Sequence, residues 1–403
     1  MLKRSALVLS LGALLLASCG KPIGTSSAPS PSHASTVTPS TAASPTSNTY
    51  PLFAVLEVRR SGAPAGSQGF SDDTLAIALL DGYAKARASF TPRSIPKVFD
   101  ASPVLEPEAY VAAGAAYYID GKGVVRRLEP SGATTIAATF ALTSPQQTAS
   151  FAVSPDGRRL MAAVLTFPTY TVSQSAFGVT QTSPWMLSVE SAPAGGSTTV
   201  LRTWRGNRIA FPGAPGDFPD IRVVGWDATG PLALVGDGVE TQNAWLDGMR
   251  FFNGQLQRLS EDGQLGPVLV GSDCQPFAPP VANKVICVSS SVTASVAIRT
   301  TAGNTIWTGS VQVPNVSSPG DYVLSGDGSQ LAMRGQVVNL AAANPSMTLP
   351  AAFAPQGWLD ETTVIGTLGS FRDYPAPPMG VVHLTSPSQV EDWGFSGLFI
   401  GTL

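Results

Sequence analysis

Along residues 150–167, SFAVSPDGRRLMAAVLTF, apolar positions alternate up to a short polar break and then continue as an unbroken apolar run. Phe151 and Val153 share one face of a strand. Leu160 to Leu165 is apolar on both faces, the pattern of a strand packed on either side. In the break, Pro155 presets φ at about −65°, Asp156 can accept backbone amides and Gly157 tolerates positive φ, so the segment reads as a β-hairpin. Related strand-turn-strand units with more degenerate turns recur at 70–80, 115–128, 223–235, 279–288, 322–333 and 356–368, which makes seven. Several are followed by further short strands closed by a second turn, as in FFNGQLQRLSEDGQLGPVLV (251–270). Repeats of roughly 35 to 70 residues with up to four strands predict propeller blades, each burying both faces against its neighbours. The expected fold is therefore all-β, a β-propeller over residues 50–403 with seven blades, six or eight being the alternatives. YPLFAVLEV (50–58) and FSGLFIGTL (395–403) are both strand-like and are expected to meet in one sheet that closes the ring.

The stretch FAVSPDGRRLMAAV (151–164) resembles the repeat of TolB-type and WD-repeat-like β-propellers, with Ser325-Gly326-Asp327-Gly328 a partial match. Trp226-Asp227 departs from the WD pattern, since it precedes a turn and does not close a third strand. The resemblance implies the fold and no particular activity.

The N-terminus has a different pattern. Lys3 and Arg4 precede an apolar run from Ala6 to Leu16, too short to span a bilayer but of the length of a cleaved signal. It ends in Leu16-Ala17-Ser18-Cys19, which resembles the lipobox of bacterial lipoproteins; that resemblance implies a signal peptide over 1–18 and a lipid on the Cys19 thiol. An ordinary secretory signal is the alternative. Residues 19–49 are almost wholly Ser, Thr, Ala and Pro, without apolar periodicity, and are expected to form a tether reaching on the order of 30 Å. The expected location is outside the cytoplasm, held to a bacterial membrane by lipid alone.

Composition narrows the chemistry. A formal net charge of −3, two units more negative once Lys3 and Arg4 leave, with 13% charged residues, is no nucleic-acid footprint. Cys274 and Cys287 are a closely spaced exported pair, for which a disulfide is expected in preference to two free thiols. His33 lies in the tether, which leaves His383 as the one histidine of the body, on an expected strand and read as structural. Histidine-dependent hydrolysis and histidine-rich metal sites are therefore not expected, and no phosphate-cradling or dinucleotide motif is found. No cofactor, no metal and no catalytic residue is assigned, and the chain is expected to be a monomer and not an enzyme.

In a blade with strands A to D, the A–B and C–D turns share one face and the B–C and D–A connections the other. The long segments 166–184, 205–221, 236–249 and 369–379, expected to be irregular, all fall on the second face. They carry the candidate binding residues Tyr170, Phe177, Phe211, Asp217, Phe218, Asp220, Gln242, Trp245, Asp247, Phe371, Arg372 and Tyr374, a mixture suited to an envelope protein or polymer. Trp226 and Trp358 are read as blade-packing residues. The alternative function is a carboxylate-dependent carbohydrate-active enzyme or sugar-binding protein with its site at the mouth of the central channel.

Overall fold

Short runs rich in Val, Ala, Leu and Ile, cut by Gly, Asp and Ser at regular intervals, favour brief antiparallel strands over helices. A computed structural model describes residues 50–59, 74–82, 84–91, 109–140, 142–144, 147–166, 171–175, 178–210, 220–236, 255–270, 274, 280–288, 294–311, 322–342, 345–369 and 377–403. The fold they form is all-β, seven antiparallel sheets arranged as a seven-bladed propeller.

From the channel outward, blade 1 uses Leu398–Thr402 as strand A, then Phe53–Arg59, Thr74–Leu80 and Ala84–Phe90. Blade 2 is Ala109–Ala112, Ala115–Ile119, Val124–Leu128 and Thr134–Thr139. Blade 3 is Gln147–Val153, Arg159–Thr166, Gly178–Pro193 and Thr199–Ala210, with Thr171–Ser175 added beside the start of its third strand. Blade 4 is Asp220–Asp227, Gly230–Gly236, Gln255–Leu259 and Leu265–Val268. Blade 5 shows strands B to D among the described residues: Lys284–Val288, Ala294–Thr300 and Thr305–Val311. Blade 6 is Tyr322–Leu324, Gln330–Met333, Gln336–Asn339 and Pro345–Thr348, and blade 7 is Phe353–Asp360, Thr363–Leu368, Met379–His383 and Glu391–Asp392.

The chain ends do meet in one sheet. Phe53 pairs with Thr402 and Leu56 with Leu398, and Leu403 N donates to Leu52 O at 2.8 Å. The apolar side chains gather into seven clusters, one at each seam between blades. The cluster of Phe151, Val153, Leu160, Tyr117 and Phe140, for example, joins blades 2 and 3. A run such as Leu160–Leu165 is apolar on both faces because its even and odd residues enter different seams: Met161, Ala163 and Leu165 face blade 4, Leu160, Ala162 and Val164 face blade 2. One outer edge is covered from a neighbour: Gly196–Ser197, from the C–D turn of blade 3, pairs in parallel with Ala138 and Thr139 of blade 2, and Gly195 N donates to Ala137 O at 2.7 Å.

Three readings of the chain need correction. Of the hairpin expected at 70–80, the described part, Thr74–Leu80, is one strand, C of blade 1, paired with Phe53–Arg59. The turn within 115–128 joins B to C, because a tighter A–B turn precedes it at Ala113-Gly114, both at positive φ. Much of the segment 166–184 is strand, since Gly178–Pro193 and Thr199–Ala210 run on past the end of strand B as a paired extension of blade 3; of 205–221, residues 205–210 and 220–221 are strand and 211–219 lie outside the described residues.

Candidate functional site

The antiparallel order puts the A–B and C–D turns on one face, the turn face, and the B–C and D–A connections on the other, the loop face. Turn-face connections run from two residues at Ala113-Gly114 to seven at 384–390, whereas those of the loop face reach eighteen at 91–108 and at 237–254.

The turn face satisfies its own polar groups. In the Ser-Pro-Asp-Gly turn, Ser154 Oγ donates to Asp156 Oδ1 (2.6 Å) and accepts from Arg159 N (2.9 Å), while Asp156 Oδ1 also accepts from Arg158 N (3.0 Å). Gly157 sits at φ 70° and its N–H closes the turn on Ser154 O at 2.8 Å. The same circuit recurs at Ser325–Asp327, with Gln330 N on Ser325 Oγ, and in a C–D turn at Ser260–Asp262. The hydroxyl and backbone donors hold the Asp327 carboxyl at about 2 and lower Asp156 and Asp262 in the same direction. At the corresponding place in blade 4, burial pushes Asp227 up, but Arg258, which binds both its oxygens (2.7 and 2.9 Å), and Thr229 outweigh it and hold the group at about 2. These carboxylates are committed to local structure.

Side chains lace the inner strands of different blades together, three times between neighbours and once, from Tyr110 of blade 2 to Trp226 of blade 4, past blade 3. Ser150 Oγ accepts from Val223 N (2.9 Å), the Tyr110 hydroxyl from Trp226 N (3.2 Å) and Gln356 Oε1 from Phe399 N (2.9 Å); Trp358 Nε1 donates to Val323 O (3.1 Å). Inner-edge amides that no further strand pairs thus find partners on other blades. Trp358 is buried in the cluster between blades 6 and 7, and Trp226 packs at the seam of blades 3 and 4 beneath the Arg159 guanidinium, 5.4 Å from its ring. Arg159 also pairs with Glu261 at 2.6 Å.

Of the sequence-derived binding residues, Tyr170, Phe177, Phe211, Asp217, Phe218, Gln242, Trp245, Asp247, Phe371, Arg372 and Tyr374 lie outside the described residues, as does Cys19. Asp220 is described in its backbone, as the first residue of the inner strand of blade 4, paired with Gly236. Cys274 and Cys287 are joined by a disulfide with Cα atoms 4.9 Å apart, both buried at the seam of blades 4 and 5. Among the described inner-strand residues, Asp227 and Asp360 carry described carboxylates; Asp227 is bound by Arg258, and Asp360 Oδ1 accepts from the N and Oγ1 of Thr362 (2.7 and 2.9 Å). No group of three or more His, Cys, Asp and Glu among the described residues is placed to hold a metal ion.

Sequence reasoning missed one constellation, on the turn face at the seam of blades 7 and 1. His383 ends strand C of blade 7 with Nε2 3.0 Å from the Tyr50 hydroxyl and 3.6 Å from Glu391 Oε2, and Nδ1 3.3 Å from Thr363 Oγ1. Tyr50 donates its proton to Glu391 Oε2 (2.6 Å), which gives His383 Nε2 the donor role toward the phenol oxygen. Trp393 Nε1 donates to Glu391 Oε1 (3.0 Å), and the Trp393 ring meets Tyr50 edge-on at 5.3 Å and stacks on Phe53 at 5.3 Å. The order Thr-His-Glu has the outline of a nucleophile, base and orienting acid. Thr363 is only 2% exposed, however, so a substrate carbonyl has no approach to its hydroxyl, and Tyr50 covers the imidazole from the other side. The cluster binds a piece of its own chain. Nothing in the local sequence signals it, because Tyr50 is 333 residues from His383.

No family model matches the chain, and no curated protein does. Among solved structures the fold is similar to an oligogalacturonate lyase in complex with manganese, at 9% identity and TM-score 0.42, over 82% of this chain and 86% of that one. It is similar also to the oligogalacturonate lyase from Vibrio parahaemolyticus, at 10% identity and TM-score 0.42, over 83% and 98%. Prolyl oligopeptidase B from Galerina marginata matches at 8% identity and TM-score 0.35, over 85% of this chain and 40% of that one. Likenesses this remote show the fold alone. They nevertheless correct the expectation that the chain is not an enzyme: proteins it is similar to in fold are named as enzymes, and that reading is withdrawn.

Proposed function

We propose that this protein is exported, anchored by lipid at Cys19, and recognises a partner in the cell envelope, protein or polymer, through the B–C and D–A connections of its loop face. One observation carries the reading: the two faces of the propeller are built for different tasks. The turn face has short connections that consume their own polar groups, and it holds Tyr50, where the chain arrives from the 19–49 segment. Every connection longer than seven residues between described strands leaves from the opposite face. A body attached by its turn face presents the loop face outward, where aromatic and polar side chains such as Tyr170, Trp245, Asp247 and Tyr374 serve recognition.

The test has two arms. Cys19→Ser should move the protein from the membrane fraction to the soluble one; retention with the membrane refutes the anchor. Crosslinking on intact cells should recover a partner whose yield falls at least about tenfold in a Tyr170→Ala, Phe177→Ala, Trp245→Ala, Asp247→Ala variant, as expected when interface anchors are truncated. An unchanged crosslink pattern refutes the face.

A further inference from the structure

We propose that the Tyr50–His383–Glu391–Trp393 cluster is a latch that fixes the root of the N-terminal tether to the turn face, and that acid opens it by protonating Glu391. The inference rests on reading residues 19–49 as a tether, but not on lipidation or on any partner. Tyr50 is the first described residue and 8% exposed, held as a side chain would be in a binding pocket: ring against His383 and Trp393, hydroxyl between an imidazole and a carboxylate. Beyond it, Leu52 O accepts from Leu403 N and Phe53 enters strand B, so among the described residues Tyr50 is the outermost grip before the chain joins the sheet.

Glu391 is the hub because both its oxygens take donors, Tyr50 on Oε2 and Trp393 on Oε1. Partial burial by itself pushes its carboxyl up, but the Tyr50 and Trp393 donors and His383 outweigh that and hold it below the ordinary 4.5. The titratable groups that face it are the Tyr50 phenol from the N-terminal segment and His383 from strand C. Asp392 beside it is occupied in capping Gly394 N (2.8 Å), and Asp360 reaches the far side of His383 through Thr363. The sign follows from the lowered value: the latch is complete above the ordinary carboxylate range and weakens as pH falls through the depressed value. Release of residues 50–52 adds about 10 Å of chain and frees the direction in which the propeller hangs.

The test is hydrogen exchange by mass spectrometry on the full chain, following peptides over residues 48–56 with residues 159–166 as an internal control and rates corrected for intrinsic pH dependence. Tyr50→Phe keeps the ring and removes the hydroxyl; it should raise exchange in 48–56 about tenfold at about pH 6 and leave 159–166 unchanged. The wild type should loosen in the same peptides between about pH 6 and about pH 3.5. Glu391→Gln should be loose at both pH values and respond to neither. A Tyr50→Phe chain that exchanges like the wild type overturns the latch, and an acid response that persists in Glu391→Gln overturns the switch. Failure of membrane anchoring or of crosslinking would leave these exchange results standing.

Discussion

Blades 1 and 5 are secured in different ways. In blade 1 the inner strand comes from the far end of the chain, Leu398–Thr402 lying against Phe53–Arg59 with a bulge between Ala54 and Val55. Its hold is non-covalent: backbone pairing, Leu398 and Ile400 packed toward blade 2, Phe399 toward blade 7. In blade 5, Cys274, which precedes strand B, is tied by a disulfide to Cys287 of that strand. The ring thus has one closure whose strength depends on many weak contacts in register and one covalent staple that works through the unfolded chain. The first joins parts that are farthest apart in sequence and so costs the most closure entropy, whereas the second joins residues thirteen apart.

Breaking the first closure should have the largest effect. Removing residues 395–403 strips strand A from blade 1 and Phe395 and Phe399 from the seam with blade 7, so the cooperative thermal transition followed by circular dichroism should be lost or fall by tens of degrees, about what the loss of several buried side chains implies. An unchanged melt refutes closure by these ends. Replacing both Cys274 and Cys287 with alanine should cost about 3 kcal/mol in urea unfolding. If reduction of the wild type leaves the midpoint unmoved, packing and not the disulfide secures blade 5. The third change is subtler: a methyl at Gly357 would overlap the Phe399 ring across the seam of blades 7 and 1, so Gly357→Ala should cost about 2 kcal/mol. A smaller loss in the double variant with Phe399→Ala than the two singles sum to would identify that contact as the cause. The smallest effect sits away from both closures. Asp227, ordinary value 3.8 and about 2 in the fold, stabilises blade 4 above about pH 4, and this is lost as pH falls through about 2. After discounting for solvent, Asp227→Asn should cost about 1 kcal/mol at neutral pH and flatten the acid limb of a stability profile.

The blades were legible where the chain uses strong punctuation. Ser-Pro-Asp-Gly at 154–157, Asp227–Gly230 and Ser325–Gly328 each carry an aspartate that caps its own turn, and each marks an A–B corner. Reading failed at Ala113-Gly114, because an alanine at φ 47° leaves no compositional trace of the turn it makes. With that corner silent in the sequence, the louder turn at 120–123 reads as the A–B corner and shifts strands B and C of blade 2 by one. It failed again at Thr171–Ser175 and at 178–183, where Thr, Ser and Gln replace the expected apolar face and the backbones nevertheless pair. The site was less legible than the fold. The loop face was identified by lengths of connection, which sequence reveals, whereas the Tyr50 cluster depends on ring closure bringing the first and last blades together, which no local pattern encodes.

The Gly196–Ser197 pairing has a consequence for how the protein behaves among copies of itself. An outer strand with bare amides and carbonyls is a template for any free β-segment, and on blade 2 that template is filled by the neighbour's glycine turn, beside an Ile136 that is 53% exposed. The outer strands of blades 3, 4 and 5 display Val200, Val268 and Ile306 to solvent and receive no such cover among the described residues. Self-association at high concentration is therefore directed to that arc of the rim, and a lysine at Val268 or Ile306 is the economical way to keep the rings apart.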